Sequence, residues 1–274
     1  MMQNIEEMNK SEHKFKEFKV EVDMRKSEEM LNRMIDELNK DSPDKIIQKL
    51  LNTPDLWLPR FDVVKRQVEE IYSGKISSMI PHIVYSPRHE KPIAVLKDKD
   101  IMKFKLGRHY SLWMAMQDTH LKGIHDAIIK TKVKAENFNK FFVREELNQH
   151  TSFILKAINH HFGGDYISSI HILAPRLEGV LRDCFKLAGL EVLHKNKDGS
   201  WEEKSISQLL DQTSGVTSLI QTDLIEYLRY FLVRTLGENK RNELAHALME
   251  ESKFNEVLSL RLILLLIVFY NPLN

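Results

Sequence analysis

From Leu258 to Tyr270 the chain is apolar almost without interruption, and residues 254–270 read as one helix with hardly a polar side. A helix apolar on every face has to be buried, at the centre of the molecule or between subunits. The rest of the chain must therefore supply helices that surround it. The longest unbroken apolar run, Leu262 to Tyr270, is far shorter than the roughly 18 residues that cross a bilayer. It points to a core, with no membrane span.

With 274 residues, the chain can hold one large domain or two smaller ones around a sizeable core. A formal net charge of +1 gives no global pull toward nucleic acid or membrane. Cys184 is the only cysteine, which excludes disulfides and a multi-cysteine zinc site. The first residues, Met1-Met2-Gln3-Asn4-Ile5-Glu6-Glu7, lack a basic start followed by an apolar stretch, so no signal peptide is expected. A soluble protein of the reducing cytoplasm follows from these bounds.

Helical spacing dominates. The Lys- and Glu-rich beginning leads into a helix near 25–39 carrying Met30, Leu31, Met34, Ile35 and Leu38. Asp41-Ser42-Pro43 offers an N-cap with proline at the first helical position, starting a helix through Leu51 that Thr53-Pro54 interrupts. Asp62 to Tyr72 reads as another, closed by Ser73-Gly74. Between 79 and 97, Pro81, Pro87 and Pro92 bracket two β-branched stretches, which predicts a loop with short extended pieces. Helices resume over 107–128 and 136–162, the latter ending at Gly163-Gly164. Asp165 caps a helix over 166–188 that Pro175 should kink. Asp198-Gly199, between Val192-Leu193 and Trp201, signals a small hairpin. Helices over 222–236 (stopping at Gly237), 240–250 and 254–270 complete the chain. The expected architecture is predominantly all-α: an N-terminal, mostly helical region over 1–135 with short extended or hairpin pieces, and a helical domain over 136–274.

Within the 240–250 helix, Arg241-Asn242-Glu243-Leu244-Ala245-His246 sets an arginine, an asparagine and a histidine into an apolar region. Metal-free phosphodiester cleavage needs a proton shuttle near neutral pH, which histidine supplies, and a fixed cation for the phosphate, which arginine supplies. Asn242 and His246, four apart, share a helix face. Arg241 and His246 stand about 140° apart around an ideal helix, so they converge only if Arg241 sits at the helix start or its side chain bends across. The plainer reading is a packed or capping histidine behind ordinary helix punctuation.

Arg241-Asn242 followed by His246 resembles the Arg-x-x-x-x-His signature of the HEPN superfamily. The run Ile170-His171-Ile172-Leu173-Ala174-Pro175-Arg176-Leu177-Glu178-Gly179-Val180-Leu181-Arg182-Asp183, then Gly189, Leu209-Leu210 and Gly237-Glu238-Asn239-Lys240-Arg241-Asn242, is similar to an uncharacterised HEPN-like family over about residues 140–274. The resemblance implies an all-α domain that forms a homodimer, with two Arg–His pairs meeting in a cleft at the interface. It also implies RNA cleavage without metal or cofactor to a 2′,3′-cyclic phosphate, in stress response or phage defence, under an antitoxin or regulatory partner. By position, His246 would be the acid/base, Arg241 would hold the scissile phosphate, and Asn242 would orient it or shape the turn. The chain departs from familiar patterns at Leu248, where a toxin subtype has tyrosine, and at Ala247, where the related family often has glycine. The other reading of this region is a non-catalytic helical dimer that binds a nucleotide, an RNA or a protein.

Glu178 shares a helix stripe with Ala174, Leu181 and Phe185, an awkward place for an unpartnered charge. Two partners suit it: it orients Arg241 or His246, or it pairs with Arg182 one turn on. Between Lys97 and Arg144 eleven Lys/Arg face five Asp/Glu. Lys103, Lys105 and Arg108, with Phe104, Tyr110 and Trp113, suit an RNA-facing surface of phosphate contacts and stacking platforms; the alternative is a solvated helix face over core aromatics. Lys240, beside Arg241, joins the candidate RNA contacts. His160, His161 and Asp165 read as helix-end residues, His120 and His125 as partly buried ones, and no metal ligand set emerges.

Overall fold

The computed structural model describes residues 25–72, 82–85, 92–96, 99–212, 222–234 and 239–271. Helix α1 (Arg25–Leu38) buries Leu31 and Leu38 and lays Met34 and Ile35 against the core. Helix α2 (Pro43–Asn52) starts behind an extended Ser42, whose hydroxyl makes no capping bond. A 3-10 turn at Pro54–Leu56 then places Trp57 in the core, its Nε1 donating to the Leu50 carbonyl at 3.0 Å. Helix α3 (Phe61–Tyr72) buries Val64 and Val68. Strands β1 (His82–Tyr85) and β2 (Pro92–Leu96) pair antiparallel, with an irregularity between Val84 and Tyr85.

Helix α4 (Lys99–Lys130) begins well before residue 107. No proline or capping residue breaks the chain there, and buried Ile101 starts the set that Tyr110, Met114, Leu121, Ile124 and Ile128 continue. The continuous helix expected over 136–162 is not formed. Two 3-10 segments, Ala135–Phe141 and Glu145–Leu147, precede α5 (Asn148–Phe162). The cause is tertiary: Phe138, Phe141, Phe142 and Leu147 are all buried, and no single helix face carries that spacing.

Helix α6 (Tyr166–Leu187) contains Pro175 and is capped by Asp165, whose Oδ1 accepts from the Ser168 amide at 3.0 Å. Strands β3 (Leu193–Lys195) and β4 (Trp201–Glu203) form the expected hairpin, with Gly199 at φ 89° in its turn. A Ser205/Gln208 capping box opens the short α7 (Ile206–Asp211). Helix α8 (Thr222–Leu228) passes into a π turn at Arg229–Val233, where Tyr230 stacks on Tyr110 at 4.6 Å and Arg229 donates to the Leu210 carbonyl at 2.7 Å. The expected stop at Gly237 lies outside the described residues. Helix α9 (Lys240–Ala245) ends five residues before the expected 250, and α10 (Glu256–Tyr270) follows.

Every residue of α10 from Leu258 onward is buried, within one copy of the chain. It lies against α6, α4, α5 and α2. Burial of each large aliphatic side chain contributes on the order of 2 kcal/mol, so this helix holds its neighbours together. Its C-terminal end is clasped by the 3-10 segments: Tyr270 donates to the Leu147 carbonyl at 2.7 Å, and Asn271 to the Phe141 carbonyl at 2.7 Å. One residue corrects the picture of an all-apolar helix. Arg261 is 3% exposed, pairs with Asp118 of α4, and donates to the Tyr227 hydroxyl at 2.6 Å. A buried guanidinium requires such partners.

The protein is therefore predominantly helical, with two separate two-stranded sheets among the described residues. The hydrophobic core is continuous across residue 135, and the Phe61 amide donates to Asp223 Oδ1 at 2.9 Å across the halves. No helix among the described residues is long and apolar enough to cross a membrane.

Candidate functional site

Helix α9 is six residues long and held at both ends by left-handed backbone. Asn239 precedes it at φ 49°, and Ala247 follows it at φ 52°. At the C-terminal end the Leu248 amide donates to the Glu243 carbonyl at 2.7 Å and the Ala247 amide to the Leu244 carbonyl at 3.2 Å. That pair of bonds is a Schellman motif, with His246 as the cap residue. Ala247 occupies the position where glycine relieves strain.

A cleft of about 200 Å³ opens between α9 and α6. From α9, Arg241, Leu244 and Ala245 line it, the i, i+3, i+4 set of one face. From α6 come His171, Ala174, Pro175 and Glu178, spaced i, i+3, i+4, i+7; Ile206 and Leu232 complete the wall. Arg241 Nε donates to Glu178 Oε2 at 3.4 Å. Glu178 Oε1 also accepts from Arg182 at 3.4 Å, so the carboxylate bridges two arginines and makes both contacts that its sequence position offered. The terminal nitrogens of Arg241 engage no described residue.

His246 and Asn242 do not line this cleft. Asn242 is half-buried and accepts the His246 amide at 3.1 Å through its carbonyl. The His246 imidazole is exposed at the helix end, without a hydrogen-bonding partner among the described residues. Sequence reading missed His171 as a site residue. Its ring stacks on Phe254, 5.0 Å between centroids with 3° between planes, and its Nδ1 lies 2.9 Å from the Ile167 carbonyl. The available signal was its place two turns before Glu178 on one stripe.

The basic stretch needs correction. Lys103 is exposed, 3.6 Å from Asp100, and Arg108 is exposed over Phe104. Lys105 is buried, its Nζ 4.0 Å from the centre of the Tyr72 ring, because its stem follows the core side of α4. Tyr110 is fully buried and donates to the Pro59 carbonyl at 3.0 Å; Trp113 is half-buried and donates to Gln67 at 3.2 Å. Neither Lys105 nor Tyr110 can face an RNA. Lys240 is also largely covered, 3.7 Å from Glu243, and lines a separate cavity of about 170 Å³ with Asp118 and Arg261.

Other polar groups are sealed in the core. His161 is 1% exposed; its Nδ1 lies 2.9 Å from Ser259 Oγ, which is 2.8 Å from Ser169 Oγ. His125 meets it edge-on at 5.2 Å. Burial, then the neighbouring His125, pushes the His161 imidazole down to about 3, and burial lowers His125 as well. Burial pushes the Cys184 thiol up to about 11, so it is not a poised nucleophile. Among the described residues no group of three or more His, Cys, Asp or Glu side chains is placed to hold a metal ion. No family model, curated protein or solved structure matches the chain.

Proposed function

We propose that this protein is a metal-independent endoribonuclease, acting as a homodimer through its C-terminal helical region, with Arg241 holding the scissile phosphate. The observation that carries the reading is the state of Arg241: its Nε is fixed by Glu178 on the wall of an open cleft, and its terminal nitrogens are free of described partners. A guanidinium held that way can grip two phosphate oxygens without first breaking an internal pair. A cytoplasmic location and an antitoxin or regulatory partner belong to the same reading, since free ribonuclease activity in a cell needs restraint. His246 and Asn242 enter as the acid/base and orienting residues that the HEPN resemblance assigns.

The mainly apolar wall of the cleft (Ala174, Pro175, Ile206, Leu232, Leu244 and Ala245) favours a second reading, in which a nucleotide is held and not cut. Purified protein incubated with mixed RNA in excess chelator separates the two. Cleavage to 2′,3′-cyclic ends is expected, with Arg241→Ala slower by about a hundredfold or more. Nucleotide binding with intact RNA would favour the second reading; neither binding nor cleavage would remove both.

A further inference from the structure

We propose that His171 is the base of the cleft, its Nε2 taking the proton of the ribose 2′-hydroxyl while Arg241 holds the phosphate. The inference rests on the ribonuclease reading and adds a residue which that reading lacks.

A carbonyl can only accept, so the 2.9 Å contact to Ile167 places the proton on Nδ1 and leaves the Nε2 lone pair exposed. No described residue engages that nitrogen. The parallel Phe254 ring fixes the plane of the imidazole. An oriented imidazole with one set tautomer is the arrangement that base catalysis requires. His246, exposed and without such an anchor, does not have it.

The surroundings fit a substrate. His171 and Glu178 lie on one side of α6, two turns or about 10 Å apart, and Arg241 reaches Glu178 from across the cleft. Between them Pro175 has no N–H, so it removes the helical donor for the His171 carbonyl. An acceptor is thereby left beside the same cleft, suited to a sugar hydroxyl.

In the step, the O2′–P bond forms as the P–O5′ bond breaks. The 2′-hydroxyl proton passes to His171 Nε2, and the departing 5′ oxygen takes a proton from water. The products are a 2′,3′-cyclic phosphate and a 5′-hydroxyl.

Two substrates test the assignment in chelator: an RNA oligonucleotide, and uridine 3′-(p-nitrophenyl phosphate), whose leaving group departs without a proton. His171→Gln is expected to slow both by about a hundred- to ten-thousand-fold. Parental rates in His171→Gln on either substrate overturn the base assignment and leave the ribonuclease reading standing. A parent inert on both removes that reading and the base assignment with it. Uridine 3′-monophosphate should shift the His171 Nε2 resonance in the parent and fail to do so in Arg241→Ala; an unmoved parent resonance overturns the proposal. His171 is exposed, so matching circular dichroism and thermal midpoints are expected to exclude misfolding of the variant.

Discussion

His246 is held at the end of α9 by a turn whose strain falls on Ala247. The two Schellman bonds require left-handed backbone at that position, and Ala247 adopts it at φ 52°. A Cβ there is unfavourable by roughly 1–2 kcal/mol, offset in part by the extra freedom glycine has when unfolded. Ala247→Gly is therefore expected to stabilise the fold by about 1 kcal/mol, read as a higher denaturation midpoint. An unchanged or lower midpoint would mean that the turn is not left-handed. At this scale the sequence was partly legible. Arg241 and Glu178 stood out as charges at apolar positions, and they do meet. His171 did not stand out, because it sits among Ile170, Ile172 and Leu173 and only the cleft separates its face from theirs. Lys105 misled for the converse reason: charge in a sequence says nothing of which side of α4 it takes.

Between elements, the approach of α5 to α6 depends on Gly179. A Cβ at that position would lie 2.8 Å from Cε1 of His150, whose Nε2 is held 2.8 Å from Asp183 one turn further along α6. The ring has no room to withdraw while that pair is kept, since His150 is buried. Gly179→Ala is expected to destabilise the fold by about 1–3 kcal/mol, the usual range for overpacking. His150→Ala in the same chain should recover part of the loss, so the two substitutions combined should cost less than their sum. Additive losses in denaturant titrations would show that the contact is not the cause. Helices with one clear stripe, such as α1 and α6, were legible from spacing alone, and α10 from its nearly unbroken apolar run. The 3-10 segments over 135–147 and the π turn at 229–233 were not, because packing around the ends of α10 and Tyr110 sets them, and periodicity carries no record of a distant partner. Arg261 is the one charge of α10 after Glu256, and its partner Asp118 lies far away along the chain.

Over the whole molecule, the neutral histidines inside the core set how the fold answers acid. His161 and His125 lie at the crossing of α4, α5, α6 and α10, with the Ser169–Ser259 pair beside them and Lys122, Asp126 and Glu256 at the rim. Unfolded, each histidine binds a proton near its ordinary value of about 6.5. Folded, His161 does so only near 3, so between those values the unfolded chain holds more protons than the folded one. Stability is then complete above pH 6.5 and falls as pH drops, at about 1.4 kcal/mol per pH unit for one such group. Asp126, Asp165 and Glu256 are all shifted down from carboxylate values; their contributions are present above about pH 4 and disappear only below it. The window between pH 6.5 and 4.5 therefore belongs to the histidines. Denaturant midpoints measured across it should fall steadily in the parent. In His161→Gln, which keeps an acceptor for Ser259, the slope should be shallower by about one proton. A parent midpoint that stays level until pH 4.5 would mean that these imidazoles are not sealed from water, and the packing of α10 against its neighbours would have to be looser than the buried Ser259 and His161 contacts imply.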